Sequence, residues 1–98
     1  RCDLPPGIQC YDYKATSNGV TIVLKNKFGY KITDVNIKLQ DCGEATGPFE
    51  IDNAQIGEYS IECVIATKSF KGNFNVTYIL SDTGLMHTAK GEIIARVQ

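Results

Sequence analysis

The chain has 98 residues, 43% hydrophobic and 21% charged, with a formal net charge of −1. That length accommodates one domain, residues 1–98, without a second core. The charge balance argues against nucleic acid, whose phosphates call for a clear basic excess, and no run approaches the ~18 apolar residues of a membrane span.

The first segment, Cys2-Asp-Leu-Pro-Pro-Gly7, is extended, because adjacent prolines hold φ and forbid a helix. Ile8 to Ala15 alternates loosely, with Ile8, Cys10 and Tyr13 as its core candidates. Ser17-Asn18-Gly19 follows, and Asn-Gly between two β-like runs predicts a hairpin in which both residues take positive φ. Val20, Ile22 and Leu24 then alternate inward, with Thr21 and Lys25 outward. Asn26-Lys27-Phe28-Gly29 turns the chain. Val35, Ile37 and Leu39 define the inner face of a strand from Ile32 to Leu39, which ends at Gln40-Asp41-Cys42-Gly43.

Glu44 to Gly47 is predicted as a loop and Pro48 to Ile51 as a short edge strand, where proline is tolerated. Gly57 to Ile65 carries the cleanest pattern in the chain. Tyr59, Ile61, Cys63 and Ile65 share one face, with Glu58, Ser60 and Glu62 on the other. Thr67 to Gly72 connects to a strand with Phe74, Val76, Tyr78 and Leu80 inward. Ser81-Asp82-Thr83-Gly84 is a turn, and Leu85 to Gln98 closes the chain with Ile93, Ala95 and Val97 inward and Lys90 and Arg96 outward. No helical period appears. The expectation is an all-β fold: a seven-stranded antiparallel Ig-like β-sandwich.

An even number of cysteines with no Cys-x-x-Cys pair predicts two disulfides, and hence an extracellular or cell-surface location. Cys2, Cys10, Cys42 and Cys63 are too widely spaced for a zinc site. Four cysteines allow three connectivities. In an Ig-like order the third and fifth strands run the same way, which brings Cys42 toward Cys63 and leaves Cys10 for Cys2.

The candidates for chemistry each have a plain alternative. Asp82-Thr83-Gly84 spells the aspartic-protease triplet, yet only 14 residues follow it, too few to build a pocket and flaps, and Asp-x-Gly suits a turn. His87 is the only histidine and has no nucleophile beside it in sequence, so it reads as a strand residue flanking that turn. Asp41, Glu44, Glu50 and Asp52 offer the oxygen donors that calcium takes, but their spacing matches no calcium loop. No cofactor or metal is expected. Asn75-Val76-Thr77 is an N-glycosylation sequon whose Asn and Thr face solvent if Phe74 and Val76 face the core. Phe28 and Tyr30 at one turn, with Tyr11 and Tyr13 near the start, are candidates for a contact patch.

Several of these segments occur together: Cys2-Asp-Leu-Pro-Pro-Gly7 with Cys10, Leu24-Lys-Asn-Lys-Phe-Gly29, Ile32-Thr-Asp-Val-Asn-Ile37, Cys42, Gly57-Glu-Tyr-Ser-Ile-Glu-Cys63, Phe70-Lys-Gly72, Tyr78, Gly84-Leu-Met-His-Thr88 and Gly91-Glu-Ile-Ile. In these the chain resembles the soluble domain of archaeal type IV pilin-like surface proteins that carry a class III signal peptide. The resemblance implies a non-enzymatic extracellular structural domain, the headpiece of a filament or cell-surface subunit. Its partners would be other subunits, with the full-length form anchored in the membrane by a hydrophobic N-terminal helix ahead of Arg1. The alternative is an Ig-like adhesion or binding module that recognises a protein or glycan through the turns at Lys27–Lys31 and Ser81–Met86.

Overall fold

Apolar alternation is realised as eight strands and no helix in this computed structural model, which describes every residue from Arg1 to Gln98. The strands are β1 (Cys2–Asp3), β2 (Ile8–Thr16), β3 (Gly19–Asn26), β4 (Ile32–Leu39), β5 (Gly43–Glu44), β6 (Ile56–Glu62), β7 (Ser69–Leu80) and β8 (Met86–Arg96). They form two antiparallel sheets, one ordered β1-β8-β7-β4-β5 and the other β2-β3-β6. The faces that alternate inward meet in one core of 18 buried hydrophobic residues. Val20, Ile22 and Leu24 of β3 with Tyr59 and Ile61 of β6 supply one layer. Ile37 and Leu39 of β4, Phe74 and Val76 of β7 and Ile93 of β8 supply the other. Each such side chain contributes about 1.5–3 kcal/mol on leaving water, so the patterned strands account for the sandwich.

Five local expectations are corrected. The strand expected over Gly57–Ile65 ends at Glu62, so Cys63 and Ile65 lie beyond it. The count is eight rather than seven, because β1 and β5 are two-residue strands too short to show a period. Pro48–Ile51 is not a strand. Only Ile51 exchanges backbone hydrogen bonds with Ile32, at 3.0 and 3.1 Å, while Phe49 merely accepts from Val35 N–H. Proline has no N–H with which to extend that pairing. In the other direction β7 begins at Ser69, so Ser69–Gly72 is paired strand, not connection. The hairpin after β2 turns on Ser17 and Asn18, with Thr16 opposite Gly19, and Asn18 does not take positive φ. Glycine is needed at position 19 for a different reason: a β-carbon there would run into the Ile61 carbonyl of β6.

In β4, Ile32 and Val35 are both buried although three residues apart. The register slips between Thr33 and Asn36, where Asp34 adopts φ +52°. This bulge moves the inward set from even to odd positions and keeps both halves of the strand in the core.

The cysteines form two disulfides, Cys2–Cys10 and Cys42–Cys63, with Cα–Cα distances of 5.9 and 5.2 Å. Each joins one sheet to the other. Cys2 is on β1 and Cys10 on β2; Cys42 follows β4 and Cys63 follows β6. Two disulfides in a domain this small fit an oxidising compartment.

Candidate functional site

The turn after β3 and the turn after β7 come together at one end of the sandwich. Pairing of β4 with β7 sets Ile32 opposite Leu80, and Ser81 N–H donates to the Lys31 carbonyl at 3.0 Å. Asn26, fully buried at the end of β3, shapes the first turn. Its Nδ2 donates to the carbonyls of Tyr30 at 2.7 Å and Ile51 at 3.0 Å, and its Oδ1 accepts from Phe28 N–H at 2.9 Å. A buried amide with every partner filled holds a loop more rigidly than solvated polar groups do. Gly29 then takes φ +90°.

Phe28, read as exposed from the sequence, is instead half-buried. Its ring occupies the space that a side chain at Gly7 would need, and Lys27 N–H donates to the Gly7 carbonyl at 2.8 Å. Gly7 has φ +101°, so the first segment depends on glycine there twice over. The Phe28 ring lies 5.1 Å from that of Tyr78, and Tyr78 stacks on His87 at 5.7 Å. Desolvation pushes the pKa of the Tyr78 phenol up. His87 is therefore a strand residue packed on an aromatic ring.

The second turn is closed by the Leu80 carbonyl, which accepts from Gly84 N–H at 2.8 Å and Thr83 N–H at 3.3 Å. Asp82 stands exposed at the tip, and Gly84 takes φ +71°. The Asp82-Thr83-Gly84 triplet thus forms a hairpin turn. Around the two turns Tyr30, Leu85 and Met86 are 51%, 62% and 66% exposed. Ile56, opposite Lys25 at the same end of β3, is exposed as well. Lys31, 3.8 Å from Glu50, adds charge to the rim. The arrangement places exposed apolar and aromatic side chains on well-held turns.

The remaining sequence candidates are dispersed. Asp41 sits in the turn after β4 with φ +66°, Glu44 lies on β5, Glu50 faces Lys31, and the Asp52 backbone carbonyl accepts from Gln55 N–H in a turn. No three acidic, histidine or cysteine side chains converge as a metal site would require. Tyr11 is exposed on β2 with the Lys25 ammonium 5.6 Å from its ring centre, and Tyr13 is half-buried on the same strand. The far end of the sandwich, where Cys42 and Cys63 meet, presents one strongly exposed hydrophobe, Val64. Asn26 was the residue that sequence reading missed. Its only signal was an asparagine closing an otherwise perfect alternation.

Comparison with known families, with curated proteins and with solved structures finds no match.

Proposed function

We propose that this chain is a non-enzymatic extracellular structural domain, the headpiece of a pilin-like filament or of a cell-surface subunit. The observation that carries the proposal is the pair of cross-sheet disulfides. They tie both long sides of the sandwich covalently, as suits a domain that must keep its shape outside the cell. We further infer an Ig-like frame. The chain passes between sheets from β3 to β4, back from β5 to β6, and across again from β6 to β7, which is Greek-key traffic.

The experiment is immunolabelling of intact cells that make the protein. Label along surface filaments, with the chain recovered from sheared filaments and free of titratable thiols, is the expected result. Recovery from the cytosol alone, with four free thiols, overturns the proposal.

The exposed turn cluster favours a second reading, an adhesion or binding module. Tyr30, Leu85 and Met86 would supply the contact and the Lys27–Lys31 turn the charged rim. In that case Tyr30→Ala with Leu85→Ser abolishes binding of the purified domain to its target surface while leaving its melting temperature unchanged. Undiminished surface binding by that variant removes the second reading.

A further inference from the structure

We infer that Asn75 is an acceptor for an N-linked oligosaccharide, and that it is modified before β7 is enclosed between its neighbours. This inference rests on the extracytoplasmic reading above. Asn75-Val76-Thr77 is the one Asn-x-Ser/Thr sequence in the chain, and its middle residue is not proline. Val76 is fully buried, which turns Asn75 out to solvent on the outer face of the five-stranded sheet. In register it lies between Lys38 of β4 and Lys90 of β8, both exposed. No loop or layer covers this face at Asn75, so an attached sugar projects freely into water.

The Asn75 side chain makes no hydrogen bond within the protein, in contrast to buried Asn26 with its three. Asparagine is also depleted in strand interiors. Packing and hydrogen bonding thus leave the Asn75 amide free to carry a substituent. Asn73 is a built-in control. It lies two residues earlier on the same face, and is also exposed, but Asn73-Phe74-Asn75 lacks the hydroxyl residue.

The strand geometry sets the timing. The Asn75 and Thr77 Cα atoms stand roughly 6.5–7 Å apart along an extended strand, without the turn that would fold the hydroxyl onto the amide. Backbone pairing to β4 on one side and β8 on the other keeps that strand straight. A transferase that bends the sequon can act only while β7 is unpaired, before β8, the last strand, is added. In the reaction Asn75 Nδ2 bonds to the anomeric carbon of a lipid diphosphate-linked oligosaccharide. The bond from that carbon to the diphosphate oxygen breaks, the diphosphate leaves with the electron pair, and the amide nitrogen gives up one proton.

The test is secretion of the full chain through a glycosylating pathway, followed by mass measurement before and after treatment with a glycan-cleaving amidase. The expected result is an added glycan mass that the amidase removes, leaving aspartate at position 75. Thr77→Ser and Asn73→Gln retain it; Asn75→Gln and Thr77→Val lose it, each with a normal melting temperature to show folding. Folded, unmodified protein offered to the transferase and donor in vitro remains unmodified, whereas the reduced, unfolded chain accepts the sugar. An unmodified mass for the secreted wild type overturns the assignment, and efficient modification of the folded chain overturns the timing. Thiol titration of the same sample separates this failure from that of the compartment reading: disulfides intact without glycan sinks Asn75 alone.

Discussion

The two long sides of the sandwich are each closed by chain that is barely sheet, and they are closed by different physics. On the side of β4 and β6, residues 45–55 lie across the gap through neutral hydrogen bonds and the buried side chains of Ile51 and Tyr59. Thr46 and Ser60 exchange hydrogen bonds of 2.8 and 2.9 Å, the Tyr59 hydroxyl donates to the Pro48 carbonyl at 2.7 Å, and Ile51 is buried between the turn of Asn26 and β4. On the side of β8 and β2, residues 1–7 form a strap whose start is held by exposed charges, with Leu4 half-buried against the core behind it. The Arg1 ammonium bonds the Ile94 carbonyl, and its guanidinium pairs with Asp3 and Glu92, both at 2.6 Å. Pro5 and Pro6 then end the pairing with β8. Buried neutral hydrogen bonds keep their value, whereas exposed ion pairs are screened. The strap should therefore rely on its disulfide for order, and the loop side should rely on packing as well.

The largest effect separating the two sides is expected at Asn26. Asn26→Ala leaves two carbonyls and one N–H without their partner in a buried site, and costs about 3 kcal/mol at roughly 1 kcal/mol or more each. Chemical denaturation measures it. A loss under about 1 kcal/mol would mean that water replaces the amide and that the loop side is less dry than its contacts imply.

The disulfides come next. Removing Cys42–Cys63 by paired alanine substitutions costs about 3 kcal/mol in the chain-entropy picture, and removing Cys2–Cys10 about 2.5, because the closed loops span 21 and eight positions. The sharper contrast is local. Without Cys2–Cys10, hydrogen exchange of residues 1–4 should rise toward the unfolded rate while β3 and β7 remain protected. Without Cys42–Cys63, protection should fall across both sheets together. If the strap stays protected after losing its disulfide, the exposed charges hold it and the comparison fails.

Tyr59→Phe tests the loop side alone. It removes the bond to Pro48 and is expected to cost about 1 kcal/mol near neutral pH. Burial also pushes the Tyr59 phenol above its ordinary value of 10.0, so the folded chain holds that proton more tightly than the unfolded chain. Its contribution is fully present below pH 10 and is lost as pH rises through the higher folded value. Alkaline unfolding of the wild type should thus begin above pH 10. It should be shallower in the variant, with Tyr78, also raised by burial, acting in the same direction.

What the sequence disclosed follows the range of the interactions. β3, β6 and β7 were legible because burial on one face imposes a local period of two, and the inner residues Val20, Ile22, Leu24, Tyr59, Ile61, Phe74, Val76 and Tyr78 lie where that period puts them. The β1 strand was not legible, since its pairing of Cys2 with Ile93 is decided by residues at the other end of the chain. The slip in β4 was hidden because an aspartate at φ +52° looks like any outward polar residue in the string. At the candidate surface both turns could be named singly. Their adjacency depends on the pairing of Ile32 with Leu80, and the burial of Phe28 depends on Gly7, neither of which a local pattern records.

The smallest effect is the one that bears most directly on the strap. Arg1→Ala removes both side-chain ion pairs but leaves the backbone bond from position 1 to Ile94 and the disulfide at Cys2. Asp3 and Glu92 raise the Arg1 pKa, first through the hydrogen bond to Asp3, yet the guanidinium is fully solvated and charged at every accessible pH. Water and salt therefore compete with both carboxylates, and the melting temperature should not move measurably at high salt. At low salt a slight drop is expected, because screening no longer masks the pairs. Exchange of the first few amides should quicken in both conditions. A drop in melting temperature at high salt as large as that of Tyr59→Phe would show that exposed charge closes this side as firmly as buried packing closes the other.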